Sequence, residues 1–219
     1  MKDFNTYILE KLKLSKNTKP KEIEFIDLGL PSGTLWANLN VGVDPTKLDK
    51  AEDWFGDYYS WGETKPKSKD DECNLTKYKF YSHERFSKYN DKDGLRNIEQ
   101  KDDAAYKIDN DTSFPTLEQV RELIRNTKHK VETNWNDVPG LRGVSFTSKN
   151  GKVLFIPCPG KIINKTFFDK NNTGYYWTTQ LHNDNFSSCE TFVINGSTTD
   201  AYIDTNYRYY GCSVRQVKK

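Results

Sequence analysis

Long apolar runs are missing from this 219-residue chain. No stretch reaches the roughly 18–20 consecutive apolar residues a membrane helix needs. Hydrophobic residues make up only 35% and the mean hydropathy is −0.87, so no membrane span is expected. Net charge is equally scarce. Thirty-three Lys and Arg stand against 31 Asp and Glu, leaving +2. That balance lacks the basic stripe of a dedicated nucleic-acid binder, so no nucleic-acid partner is expected. Histidine is rare too: His83, His129 and His182 lie 46 and 53 residues apart, which excludes HExxH and any other local two-histidine metal motif. The four cysteines, at 73, 158, 189 and 212, form no CxxC pair, so a zinc ribbon is excluded. Without an apolar segment after Met1-Lys2-Asp3-Phe4-Asn5 no ordinary secretory signal peptide is expected, and reduced thiols are expected. Cys158 and Cys189 sit among apolar residues and read as core, while Cys189 and Cys212 could lie on neighbouring strands. P-loop, GxGxxG and GxSxG motifs are all missing. The adjacent carboxylates Asp70-Asp71 and Asp102-Asp103 read as solvated or helix-capping groups. No catalytic residue, metal or cofactor is assigned on these grounds, and the chain is not expected to be an enzyme.

Aromatic residues are what the chain has in quantity: 13 Tyr, 12 Phe and 5 Trp. That content argues against disorder. With a single Met, the core must be built from aromatic and branched side chains. Residues 1–20 stand apart. Phe4, Ile8 and Leu12 recur at helical spacing with five lysines around them, and Pro20 closes the segment. A helix this short is marginal alone, so this arm should dock on its own domain, on a second copy, or on a larger assembly. Residues 21–219 read as one domain. Within it, 64–103 is a polar insertion with ten basic and nine acidic residues, pinned by Tyr78, Phe80, Tyr81, Phe86 and Tyr89. Gly56-Asp57-Tyr58-Tyr59-Ser60-Trp61-Gly62 reads as a buried corner. A helix is expected over 116–126, with Thr116 as cap and Gln119 in capping-box register. Asn150-Gly151 between two apolar runs predicts a hairpin. Further strands are expected at 22–28, 175–179, 191–194, 201–204 and 212–217. One central helix among short strands gives an α+β class. Trp135-Asn136-Asp137 spells a calcium-site tripeptide of sugar-binding lectins, but it falls after the helix rather than on a late strand, and no calcium site is expected there.

Five ordered blocks carry a resemblance. Asp27-Leu28-Gly29-Leu30-Pro31-Ser32-Gly33-Thr34-Leu35-Trp36-Ala37 opens it, and Gly56 to Thr64 follows. Phe114-Pro115-Thr116, Gly174-Tyr175-Tyr176-Trp177-Thr178-Thr179 and Arg208-Tyr209-Tyr210-Gly211-Cys212-Ser213-Val214-Arg215 complete it. Together, over about residues 24–217, they resemble the Fibrobacter succinogenes major paralogous domain family of Bacteroidetes. That family resembles the C-type-lectin-like fold of formylglycine-generating enzymes and of diversity-generating-retroelement variable proteins. The resemblance implies a ligand-contacting face between Trp177 and Arg215. Its candidate residues are His182, Asn183, Asp184, Asn185, Phe186, Tyr202, Asp204, Asn206 and Tyr207. Tyr and Asn offer contact area and adaptable hydrogen bonding at low entropic cost. Trp36, Trp61 and Trp177 read as core, and Arg208 and Arg215 as structural residues bonding carbonyls or carboxylates.

The expected function is therefore non-enzymatic recognition of a surface glycan or protein, an adhesion or receptor-binding role. The arm is similar to the openings of proteins encoded by Bacteroides phages and mobile elements. It implies attachment to a larger assembly through residues 1–20, with cytoplasmic synthesis followed by virion association or non-Sec export. One alternative is a structural protein of a virion or surface complex with no external ligand. Another is an oxidase similar to the formylglycine-generating group. Those enzymes use a closely spaced cysteine pair, whereas Cys189 and Cys212 are 23 residues apart.

Overall fold

The computed structural model describes residues 19–219. The expected helix of the N-terminal arm lies outside the described residues. The chain enters β1 (Phe25–Asp27) and returns antiparallel in β2 (Leu35–Ala37). Then come β3 (Tyr58–Tyr59) and a small hairpin of β4 (Tyr81–Ser82) and β5 (Arg85–Phe86). A short helix, Ala104–Ile108, precedes the principal helix, Leu117–Asn126. A meander of β6 (Thr127–Thr133), β7 (Arg142–Ser148) and β8 (Val153–Pro157) follows, then a hairpin of β9 (Lys161–Ile163) and β10 (Thr166–Phe168). The chain ends in β11 (Thr173–Leu181), β12 (Ser188–Asn195), β13 (Ala201–Tyr207), β14 (Cys212–Ser213) and β15 (Val217–Lys218). The central sheet has the order β13-β12-β11-β14-β3, with β11 and β14 parallel. β15 pairs with β2 and completes a separate three-stranded sheet with β1. This is an α+β protein, mostly β, with two α-helices among the described residues.

The principal helix starts where its sequence says it should. Thr116 accepts the Gln119 N–H, and the Gln119 side chain accepts the Thr116 N–H at 2.8 Å. Two orphan donors are thus satisfied reciprocally. Leu117, Val120 and Leu123 are buried on one face. At the other end, Thr127 Oγ1 donates to the carbonyl of Leu123, one of the last-turn acceptors, and Asn126 Nδ2 donates to that of Glu122. The Asn150-Gly151 turn joins β7 to β8, with Gly151 at φ +81.

β11 and β12 are buried along nearly their whole length, because the central sheet is covered on both faces. On one face Tyr176, Phe192 and Ile194 meet Val144, Phe146, Leu154 and Ile156 and the helix residues Val120 and Leu123. On the other, Trp177, Leu181, Cys189 and Cys212 meet Trp61, Phe114 and the aromatics of the insertion. Tyr78, Phe80 and Tyr89 are buried there, with Tyr81 and Phe86 packed against them. The three core tryptophans, Trp36, Trp61 and Trp177, are wholly buried. All four cysteines are buried and unpaired. Cys189 and Cys212 do not sit on neighbouring strands: β11 lies between β12 and β14.

The insertion closes on Asp102, which accepts from Lys79 Nζ at 2.9 Å, from Tyr89 Oη at 2.7 Å and from Lys88 Nζ. Burial opposes its charge, but those bonds outweigh it and hold the carboxyl below its ordinary value. Asp102 is therefore an ion-cluster centre, not a solvated residue. Its neighbour Asp103 goes the other way. It caps the helix Ala104–Ile108 and accepts the N–H of Phe114, yet burial lifts its carboxyl to about 6. The signs predict a two-limbed pH profile. Asp103 binds its proton more tightly when folded, so its contribution falls as pH rises from about 4 to 6. Asp102 binds its proton less tightly when folded, so its contribution is lost as pH falls below about 4. Urea titrations from pH 3 to 7 should show Asp103→Asn flattening the upper limb and Asp102→Asn the lower one. Unchanged limbs in both variants would rule out this assignment.

Candidate functional site

The exposed edge of the central sheet is β13. Its inward residues Ala201 and Ile203 pack toward the principal helix, which fixes the strand and turns Tyr202 and Asp204 to the opposite face. Tyr202 and Tyr207 are 45% and 43% exposed, among the few large side chains left uncovered. After Tyr207 the chain leaves the sheet edge and crosses to β14, and the crossing carries Arg208, Tyr209 and Tyr210. Tyr207 and Tyr209 stack at 5.1 Å and 8°, and Tyr210 stands edge-on to both.

Arg208 holds this crossing in place. It is wholly buried and has no carboxylate partner among the described residues. Its guanidinium donates to the carbonyls of Tyr89 (3.0 Å), Phe186 (3.1 Å) and Lys88 (3.1 Å) and to Tyr78 Oη (2.9 Å). The rings of Phe86, Tyr78 and Trp61 surround it at 4.6–5.4 Å. One side chain thus ties the insertion, the β11–β12 turn and the tyrosine crossing together. Arg215 is likewise buried and bonds the Ala37 carbonyl at 2.8 Å; burial pulls its guanidinium down to about 10.

Beside the tyrosines lies Lys161 of β9. Its ammonium sits 4.0 Å from the Tyr175 ring centroid and 5.7 Å from that of Tyr210, and donates to Asn206 Oδ1 at 2.6 Å. Tyr175 Oη donates to Asp169 at 2.7 Å. Burial and neighbouring groups raise the phenols of Tyr175, Tyr202 and Tyr210, and take Tyr209 to about 12. All four stay neutral at physiological pH and keep their hydroxyl protons. Two clefts flank the face. One, of about 440 Å³, runs between Asn74, Asn164, Tyr209 and Tyr210. The other, of about 660 Å³, lies between Phe186 and the Arg85, Phe86 and Asn90 region of the insertion.

No protein-family model, no curated protein and no solved structure matches the chain. The site therefore has to be judged on its own residues.

The sequence-derived candidates fall into two groups. Tyr202, Asp204 and Tyr207 are exposed on β13. Asn183, Asp184 and Asn185 are exposed in the β11–β12 turn, but Asn185 spends its amide locally, on the N–H and hydroxyl of Ser187 and on Ser188. His182 is half-buried and pairs with Glu190 at 2.8 Å. Phe186 is half-buried under the Arg96 guanidinium at 3.9 Å. Asn206 needs correction. Expected on the exposed face, it is only 5% exposed and bonds Lys161 and Thr191 Oγ1, so it positions Lys161. The physical reason is the Lys161 side chain, which reaches it from the β9 hairpin. Sequence reasoning missed Lys161, Tyr175, Tyr209 and Tyr210. The three tyrosines stand in the blocks that carry the family resemblance, and only the bunching of Tyr207, Tyr209 and Tyr210 could have flagged two of them. Lys161 is brought to Asn206 from 45 residues away, and no local signal marks it.

The thiols offer little nucleophilic chemistry. Burial lifts Cys73 to about 11 and Cys158 to about 12, and Cys189 and Cys212 also go up. A thiol that holds its proton is a poor nucleophile and metal ligand.

Proposed function

We propose that the chain is a non-enzymatic ligand-recognition module of C-type-lectin-like architecture, displaying its binding face along β13 and the tyrosine crossing, with residues 1–20 serving for attachment to a larger assembly. The observation that carries this reading is the tyrosine cluster itself. Tyr202 and Tyr207 expose their rings on a strand packed against a helix, and Tyr209 and Tyr210 stand against Tyr207, next to the anchored Arg208. Rigid aromatic side chains lose little freedom on contact and supply large amphipathic area. The lectin-like reading gains support from the sequence blocks. Trp36, Trp61, Trp177 and Arg215 are all buried, and the last strand pairs with β2 near the start of the described chain. The oxidase alternative loses support, since its two candidate cysteines are buried on strands that flank β11.

The test is binding of the labelled intact chain to whole Bacteroidetes cells and to a glycan panel, beside Tyr202→Ala/Tyr207→Ala. Both rings are exposed, so the variant should melt within a degree or two of the parent while losing at least tenfold in affinity, as truncated aromatic anchors do. Undiminished binding by the variant overturns the assignment of this face. No binding to cells or glycans by the parent moves the reading to a structural protein without an external ligand.

A further inference from the structure

Of the four half-buried lysines among the described residues, Lys67 and Lys88 are neutralised by carboxylates, whereas Lys161 and Lys218 rest on aromatic rings. Lys67 pairs with Glu63 at 2.6 Å, and Lys88 with Asp102 and Glu99. Lys161 is the exception at the site. Its ammonium rests on the Tyr175 ring and on the Asn206 carbonyl oxygen, and none of the described carboxylates pairs with it. Asn206 is itself fixed, since its amide nitrogen donates to Thr191 Oγ1 at 3.3 Å. The cation is thus held by neutral groups at the foot of the tyrosine cluster, with one of its three N–H bonds spent on Asn206.

We infer that Lys161 is a carboxylate subsite and that the ligand of this face is an acidic saccharide, a sugar carrying a single carboxylate. The inference rests on the recognition reading above and deepens it. A carboxylate would complete the charge-assisted bonding of the ammonium. The rings of Tyr202, Tyr207 and Tyr210 offer apolar faces against which the C–H side of a pyranose packs. Asp204 on β13 and the Asn164 side chain in the adjoining cleft supply partners for ring hydroxyls. The same neighbours exclude polyanions. Asp204 is exposed on the same strand as Asn206, and Asp169 is bonded to the Tyr175 hydroxyl, so one negative charge is accommodated and a run of phosphates is repelled. The chain's net charge of only +2 adds no long-range attraction for a polyanion.

The intact chain should be assayed on an array of matched oligosaccharides that differ only in a terminal glucuronate or glucose, and galacturonate or galactose. The expected result is a preference of about tenfold or more for the acidic member, the size of one charge-assisted hydrogen bond. The preference should shrink as salt rises from about 0.05 to 0.5 M. Lys161→Gln, which can still donate to Asn206, should lose the preference, and Lys161→Arg should keep it. Equal binding of acidic and neutral partners by the parent, or an unchanged preference in the glutamine variant, overturns this inference and leaves the recognition reading standing. So does binding to cells with none to any saccharide. Binding to neither cells nor saccharides overturns the recognition reading as well. If the variant proves unstable, competition by free glucuronate against free glucose on the unaltered chain decides the question: equal competition by the two sugars overturns the inference.

Discussion

Replacing Arg208 by alanine is expected to lower the unfolding free energy by about 4 kcal/mol or more, at the upper end for a single substitution. The guanidinium serves three backbone carbonyls and a tyrosine hydroxyl inside a closed aromatic cage. Its removal leaves those acceptors buried without donors, at about 1–3 kcal/mol each before water relieves some of them. It also opens a cavity. Methionine separates the two effects, since it refills most of the volume and restores no donor. Arg208→Met should therefore recover only part of the loss. Lysine keeps the charge but cannot reach carbonyls on three segments with one ammonium, so Arg208→Lys should remain destabilised by about 2 kcal/mol. Urea denaturation of the three variants measures all of this. A loss under about 1 kcal/mol for alanine would show that the cage closes without its cation. Because Arg208 also fixes Phe186 and the tyrosine crossing, the lysine variant, if folded, should bind more weakly than its melting point suggests.

Trp177→Ala should cost about 3–5 kcal/mol, the range for deleting a buried aromatic. The reason lies in how the short strand β3 is held. Trp177 Nε1 donates to the Tyr59 carbonyl at 2.6 Å, and Trp61 Nε1 donates to the Thr178 carbonyl at 2.8 Å. β3 has only two residues and β14, between it and β11, has two, so backbone pairing alone is a weak tether. The two indoles bond reciprocally across β14 and replace the ladder those strands are too short to supply. Trp177→Phe, which keeps most of the volume, should lose about 1–2 kcal/mol, the scale of an orphaned carbonyl. Combined with Trp61→Phe, the losses should not add, because both rings fill one cluster. Strict additivity in calorimetric or urea measurements would argue that the two bonds act separately.

Much of this was legible in the chain itself, and the limits have physical causes. The helix Leu117–Asn126 was readable because its cap, its capping-box glutamine and its apolar face all agree. β7 and β8 were readable from Asn-Gly between apolar runs. β6 was not. Its residues Thr127–Thr133 are mostly polar, and it is an edge strand half-covered on one face, so it lacks an apolar signal. The hairpin β9–β10 is three residues a side and leaves no periodicity to read. At the site, exposure was foreseeable for Tyr202 and Asp204 from alternation on an edge strand, whereas Tyr207, of the opposite parity, is exposed because the strand ends there. Asn206 broke the expectation because Lys161 reaches it from a hairpin distant in sequence. Tertiary contacts of this kind are what a local pattern does not encode.

The pairing of β15 with β2 has a consequence for how the molecule is made. Val217 sits opposite Trp36, about 180 residues earlier in the chain, and Ser113 hydrogen-bonds Val217 on its other side. The sheet begun by β1 and β2 cannot be completed until Val217 has been translated and has cleared the ribosome. Contacts this remote close slowly, and until they do the apolar edge of β2 stands open. Closure of this sheet should therefore be a late, all-or-none step. Ribosome-stalled chains truncated just before Val217 should remain protease-sensitive throughout, and released chains that include β15 should become resistant at a single rate.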